Sequence, residues 1–184
     1  MDLSSEKREA SVAWFRLAEL VDRGEKEKAL NLYRLLSHSF EDRAYALQVE
    51  GDILWSFEDK EALEKYKQSA FLYRKEQKLA AAISIYEHLF TVEPDSKDVL
   101  RHLVEFYIQI DWMDKVEDRF SVVAQLHKDE KITFDQTWYI ISSMLDVALE
   151  AESLKESTVE NLLKLIKQKI PAAAEKAKQY TVVR

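Results

Sequence analysis

The chain has 184 residues with 27 basic and 34 acidic side chains, so its formal net charge is −7. It contains only 2 Gly and 2 Pro, against roughly 13 and 9 at average usage, which argues against a multi-stranded sheet and excludes glycine-rich phosphate loops. It contains no cysteine, which excludes disulfides, thiolate metal sites and Cys nucleophiles.

Apolar residues recur with the helical period through most of the chain. The pattern predicts about nine helices, joined by short polar connections that place neighbouring helices antiparallel. The predicted helices span residues 6–23, 26–39, 42–56, 59–76, 79–92, 96–110, 113–128, 134–151 and 155–179. We therefore expect an all-α protein that forms a single domain over residues 1–184.

A helix-hairpin pattern of large, small and aromatic residues recurs along the chain. Its copies begin near Trp14, Tyr66 and Leu103, and the matching second-helix residues Ala82 and Val116 lie 34 residues apart. Small residues let the two helices of a hairpin approach closely, and large aromatic residues fill the space against the next hairpin. A fixed period of this length is typical of repeat proteins.

The pattern resembles the tetratricopeptide repeat (TPR) family. Gly24 falls at the inter-helix turn position of that family, Gly51 at its close-packing position and Pro94 at its closing position. The resemblance covers residues 10–127 and implies an α-solenoid of antiparallel helix hairpins, with residues 134–180 forming an atypical capping hairpin. The alternative is a compact helical bundle, which has no reason for a 34-residue period.

The predicted helix at 59–76 fits both phases of the repeat. Ala62 and Tyr66 match the second helix of one hairpin, whereas Tyr66 and Tyr73 match the first helix of a hairpin that continues to Ala82. The spacing from Ala62 to Ala82 is 20 residues rather than 34. Either the array slips by one helix there, or one of the two matches is accidental.

The resemblance implies that a partner binds to the first helix of each hairpin, on the inner face of the array. Exposed aromatic residues flanked by charges suit such a face, because Trp, Tyr and Arg dominate binding hot spots. The residues carried over to these positions are Phe15, Glu19, Tyr45, Gln48, Asp52, Trp55, Lys67, Phe71, Arg74, Lys75, Arg101 and Glu105. They predict a scaffold whose concave groove holds a peptide or helical segment of another protein.

No constellation of residues indicates catalysis. None of the four histidines falls in a metal-binding motif such as H-E-x-x-H, and the carboxylates cluster at helix starts, where they complement the helix dipole. We therefore expect no enzymatic activity, no cofactor and no metal site. The alternative from a different class is a helical-bundle enzyme with a buried site.

The charge balance and the termini constrain partners and location. The acidic excess argues against nucleic acid, because phosphate binding is driven by clustered Lys and Arg. The N-terminal residues lack the basic and apolar regions of a secretory signal, and no apolar stretch is long enough to span a membrane, so we expect a cytoplasmic protein. A chaperone or adaptor for secreted proteins and a self-assembling, homo-oligomeric scaffold remain alternatives.

The C-terminal helix alternates apolar and basic residues. Leu162, Ile166 and Ile170 are apolar, whereas Lys164 and Lys167 are charged. This pattern fits either a basic helix on a membrane surface or a helix that caps the array with its apolar face inward. We favour the cap, with the helix continuing past a kink at the second proline.

Overall fold

The computed structural model describes residues 3–150 and 156–181. This part of the chain contains ten α-helices and no strand, so the all-α prediction is confirmed for it. The helices are α1 (Leu3–Asp22), α2 (Lys26–Ser37), α3 (Arg43–Ser56), α4 (Glu61–Lys75), α5 (Leu79–Val92), α6 (Lys97–Gln109), α7 (Met113–Lys128), α8 (Phe134–Glu150), α9 (Glu156–Lys169) and α10 (Pro171–Ala177), followed by a 3-10 turn at Lys178–Thr181.

The ninth predicted helix is in fact two helices. Pro171 is the first residue of α10, where its missing N–H breaks no helical hydrogen bond. The preceding residue, Ile170, has φ −136° and ψ 73°, because a residue before proline is pushed away from the helical region. The expected kink at the proline is therefore a break between α9 and α10.

Several helix starts follow capping signals in the sequence. The Asp42 side chain accepts a hydrogen bond of 2.9 Å from the Tyr45 backbone N–H at the start of α3. Before α8, Thr133 and Gln136 exchange two such bonds, from the Thr133 N–H to Gln136 Oε1 (3.0 Å) and from the Gln136 N–H to Thr133 Oγ1 (3.2 Å). This reciprocal arrangement is a capping box, as the sequence predicts.

The chain divides into two compact units, Met1–Ile85 and Tyr86–Arg184, which we call unit 1 and unit 2. In unit 1, α1 packs against α2, α2 against α3, and α3 most extensively against α4. In unit 2, α6 packs against α7 and α8, while α9 contacts α7, α8 and α10. Within each unit, most of these contacts join helices that are neighbours in sequence. The single-domain and solenoid expectations stay predictions.

The α3–α4 contact depends on small residues. Ala44, Gly51, Ala62 and Ala70 are all buried, and a Cβ at Gly51 would lie 2.8 Å from Cε1 of the Tyr66 ring. The absence of a side chain at Gly51 therefore lets the two helices meet, as the close-packing position of the resemblance implies.

We predict that Gly51→Ala destabilises the protein by about 1–2 kcal/mol. The added Cβ would meet two atoms of the Tyr66 ring at 2.8 and 2.9 Å, which places the cost in the upper part of the usual range for overpacking, about 2–3 kcal/mol, and Ala regains at most about 1 kcal/mol of helix propensity. Tyr66 is buried and its hydroxyl donates to Asp52, so the ring has little freedom to move away. Urea denaturation measures the effect, and in a Tyr66→Leu background the same Gly51→Ala change should cost clearly less. An alanine variant as stable as the original chain would contradict this packing.

Five inter-helix turns in the described chain share one backbone geometry. In each, a residue with positive φ follows a helix: Gly24 (71°), Glu58 (55°), Gln77 (60°), Asp111 (55°) and Glu130 (57°). Its N–H bonds to the carbonyl three residues earlier, and the next N–H bonds to the carbonyl five residues earlier, as for Gly24 to Val21 and Glu25 to Leu20. This is the Schellman motif, which usually takes glycine.

The spacing of these turns explains the slip in the repeat. The intervals between them alternate between 34 and 19 residues. The motif occurs on both sides of α4, at Glu58 before it and at Gln77 after it. The same turn follows α6 and α7, at Asp111 and Glu130. The local pattern therefore recurs every three helices, whereas the family resemblance implies two.

Two surface salt bridges show the same three-helix recurrence. Lys78 Nζ lies 2.8 Å from Asp42 Oδ2, and Lys131 Nζ lies 2.8 Å from Asp95 Oδ2. Each bridge joins an aspartate one or two residues before the first helix of a hairpin to a lysine three residues after its second helix, for α3 with α4 and for α6 with α7. Exposed pairs contribute little stability, but they mark the antiparallel alignment of both hairpins.

We predict that Gln77→Gly stabilises the protein by about 0.5–1 kcal/mol, because the left-handed conformation strains any residue with a Cβ. Gln77→Ala is the matched control, since alanine keeps the Cβ and should bring no such gain. Denaturant midpoints of the two variants decide the point. Equal midpoints for glycine and alanine would contradict the assigned turn.

Unit 2 is built around α6. From Val99 to Ile108 nearly every residue of this helix is buried, as expected for a helix that is enclosed on several sides. The apolar face of α9 is also buried, at Leu162, Leu165 and Ile166, while Lys164 and Lys167 are exposed. The apolar face of α9 is thus covered within unit 2, where the helix contacts α7, α8 and α10, and its capping role stays a prediction.

Candidate functional site

The α3–α4 hairpin of unit 1 carries an open groove of about 410 Å³. Arg43 and Leu47 of α3 and Glu64, Lys67, Gln68, Phe71 and Leu72 of α4 line it. We call this surface the α3–α4 groove. It includes two of the residues predicted from the sequence, Lys67 and Phe71.

Phe71 is the most exposed apolar residue of this groove, with 63% of its surface accessible. Leu47 and Leu72 beside it are half-buried. The exposed ring and the two half-buried leucines together form an apolar surface, which a partner's apolar side chain can cover favourably. Arg74 is half-buried and Lys75 is exposed on the last turn of the same helix.

The charges of the groove are arranged along α4. The salt bridge between Asp42 and Lys78 holds the start of α3 beside the end of α4. Arg43, the first residue of α3, therefore lies near the C-terminal end of α4. Glu64 lies in the N-terminal half of α4 and accepts a hydrogen bond of 3.0 Å from Gln68 Nε2. Arg43 therefore lies toward one end of the groove, which we call the basic end, and Glu64 lies toward the other.

Gln48 and Asp52, two predicted partner-binding residues of α3, accept hydrogen bonds from α4. The hydroxyl of Tyr66 donates to Asp52 Oδ1 (2.8 Å), and that of Tyr73 donates to Gln48 Oε1 (3.3 Å). Burial and the Asp52 carboxylate raise the pKa of Tyr66, so this phenol stays protonated and donating. These two residues hold α4 against α3, and they do not line the groove.

The aromatic residues predicted on α3 lie at its two ends. Tyr45 is 48% exposed and its ring lies 5.7 Å from that of Phe40, which also stacks on Trp14 at 5.8 Å with an interplanar angle of 5°. Trp55 is 42% exposed near the other end of α3. Neither ring lines the α3–α4 groove.

The predicted residues of α1 remain on the surface. Phe15 is 73% exposed, and Glu19 makes a long, exposed ion pair with Arg23 (4.0 Å). A second, mostly apolar groove of about 310 Å³ runs beside them, between α1 and α3. Its lining consists of other residues, namely Trp14, Leu17, Ala18, Val21, Asp22, Val49 and Ile53.

The remaining two predicted residues, Arg101 and Glu105, belong to unit 2. Glu105 is only 2% exposed, and it accepts hydrogen bonds from Arg101 Nη1 (2.6 Å) and from the Ser143 hydroxyl of α8. The Arg101 guanidinium also lies 5.4 Å from the ring centre of Tyr139. Glu105 therefore joins α6 to α8 and offers no open surface to a partner.

Burial opposes the ionisation of Glu105, but the Ser143 hydroxyl and the Arg101 charge outweigh it and hold the pKa of this carboxyl below its ordinary value of 4.5. A lowered pKa in the folded state means that the bridge stabilises the fold above that ordinary value. The contribution is lost as the pH falls through the folded pKa.

We predict that Glu105→Gln destabilises the protein by about 3 kcal/mol at neutral pH, because it leaves a largely buried Arg101 charge uncompensated. The variant should also lose part of the acid sensitivity of unfolding. Arg101→Met/Glu105→Met, which removes both charges, should recover most of the stability. Unchanged denaturant midpoints for the Gln variant at neutral and acidic pH would contradict this assignment.

Sequence reasoning missed the other five lining residues of the groove, which are Arg43, Leu47, Glu64, Gln68 and Leu72. Arg43 enters the site only because α3 runs antiparallel to α4, and the register of that pairing is not visible in the pattern of either helix. The sequence signal that could have shown it is the pair Asp42 and Lys78, which flank the hairpin with opposite charges.

No protein-family model matches the chain, and no curated protein matches it closely enough to count as a relative. The resemblance to TPR proteins therefore rests on the residues named above. Within residues 3–150 and 156–181, no three His, Asp or Glu side chains gather as metal ligands would. No helix in the same ranges combines the length and apolar character that crossing a membrane requires.

Proposed function

We propose that the chain is a binding module or scaffold, built from a TPR-like array of helix hairpins, which holds a peptide or helical segment of another protein. Its role is recognition rather than catalysis. The cysteine-free composition is compatible with a reducing compartment such as the cytoplasm.

The observation that carries this proposal is the exposure of Phe71 in the α3–α4 groove. A phenylalanine that is 63% exposed beside Leu47 and Leu72 leaves apolar surface in contact with water, and covering it with a partner's side chain is favourable by roughly 25 cal/mol per Å². Large aromatic anchors in such positions dominate binding energy in many interfaces.

The surface under this anchor is fixed by the hairpin itself. The Ser69 hydroxyl donates to the Ala44 carbonyl oxygen at 2.7 Å, and the Lys65 ammonium lies 3.1 Å from Glu50 Oε1. Both contacts join α4 to α3. A preformed surface loses little conformational entropy on binding, which supports recognition of a segment that itself becomes ordered in the groove.

We predict that Phe71→Ala weakens peptide binding by about tenfold or more, as expected for a hot-spot residue. Clones are selected from a random-peptide phage library on the full chain, and the resynthesised peptides are then titrated against the variants. Leu35→Ala is the matched control, because Leu35 is 72% exposed on α2 and lines neither groove, so its loss should leave affinity unchanged.

Both substitutions are at exposed positions, and each should change the free energy of unfolding by no more than about 0.5 kcal/mol. Loss of binding with retained stability supports the proposal. Failure to select any peptide, or selection of peptides that bind the Phe71→Ala variant as well as the original chain, would overturn it.

A further inference from the structure

The basic end of the α3–α4 groove is not neutralised by the acidic residues around it. The carboxylates that adjoin Arg43 and Lys75 in sequence, Asp42 and Glu76, both form ion pairs with Lys78, at 2.8 Å each. The Lys78 ammonium and the Tyr45 backbone N–H both bond to the Asp42 carboxylate and keep its pKa below its ordinary value. Asp42 is therefore already paired within the protein.

Arg43 and Lys75 remain as exposed cations at this end of the groove. Arg43 is the first residue of α3 and Lys75 is the last residue of α4, and neither forms an ion pair with the residues that the structure describes. Lys67 adds a further positive charge within the lining. Among the lining residues, Arg43 and Lys67 are basic and Glu64 is acidic.

We propose that the α3–α4 groove takes an acidic segment. An apolar side chain of that segment packs on Leu47, Phe71 and Leu72, and its Asp or Glu residues face Arg43 and Lys75. This inference rests on the proposed function. It adds that the partner segment is acidic and that its acidic residues lie at the C-terminal end of α4. The preference contrasts with the net charge of −7 on the whole chain, which would favour a basic partner at long range.

Acidic side chains suit this end for two reasons. Carboxylates form hydrogen-bonded ion pairs with Arg, often through two parallel N–H donors. A partner carrying Lys or Arg would instead place like charges beside Arg43 and Lys75, which disfavours binding. The cations therefore act both by attracting acidic segments and by rejecting basic ones.

The test is a phage selection on two forms of the full chain, the original sequence and the Arg43→Glu/Lys75→Glu variant. Peptides selected on the original chain should be rich in Asp and Glu around an apolar residue. They should bind the charge-reversed variant about tenfold or more weakly, and their binding to the original chain should weaken with added salt. Peptides selected on the variant should be basic instead.

The chain offers a matched control in the other hairpin. Lys97 is the first residue of α6 and Lys128 is the last residue of α7, so Lys97→Glu/Lys128→Glu repeats the same charge change at equivalent helix ends. This variant should bind the acidic peptides as well as the original chain does. Thermal unfolding of both double variants shows whether either change affects the fold.

The outcomes separate the inference from the proposed function. If selected peptides need Phe71 but show no acidic bias, or bind the charge-reversed variant equally well, the charge assignment is wrong and the binding function stands. If no selected peptide depends on Phe71, the proposed function fails as well. Equal losses in the Arg43/Lys75 and Lys97/Lys128 variants would show a general charge effect and would also overturn the assignment.

Discussion

The structure of unit 1 depends on how closely α3 approaches α4. The ring of Tyr66 occupies the space that a side chain at Gly51 would fill, and its hydroxyl is bonded to Asp52 on α3. The alanines at 44, 62 and 70 extend this close contact along the hairpin. Once the two helices are fixed at this distance, the residues on the open side of α4 form a groove whose shape is set by the backbone.

The helical character and the order of the elements could be predicted from the sequence, because each buried face repeats with the helical period. The turns were harder to predict. Only Gly24 carries the expected glycine, whereas Glu58, Gln77, Asp111 and Glu130 adopt the same positive φ with ordinary side chains. The pattern of alternating intervals is therefore visible in the backbone angles but not in the residue types, and the three-helix recurrence was missed.

The candidate site was predicted only in part, because a groove depends on register between helices. Phe71 and Lys67 were predicted because the repeat resemblance assigns partner contacts to positions along one helix, which needs no knowledge of how that helix pairs with its neighbour. Arg43 could not be found in this way, because it reaches the site through antiparallel pairing. Glu105 shows the opposite difficulty, since its charge predicts exposure but Arg101 and Ser143 allow it to be buried.

Hydrogen–deuterium exchange on the full chain tests the central claim most directly, because it reports the opening of each helix in the native protein. The amides of α3 and α4 around Gly51 and Tyr66 should exchange together and more slowly than those of α1. A bound peptide should slow exchange further at the C-terminal end of α4. Independent, rapid exchange of α3 and α4 would contradict a closely packed hairpin and, with it, the groove that the hairpin supports.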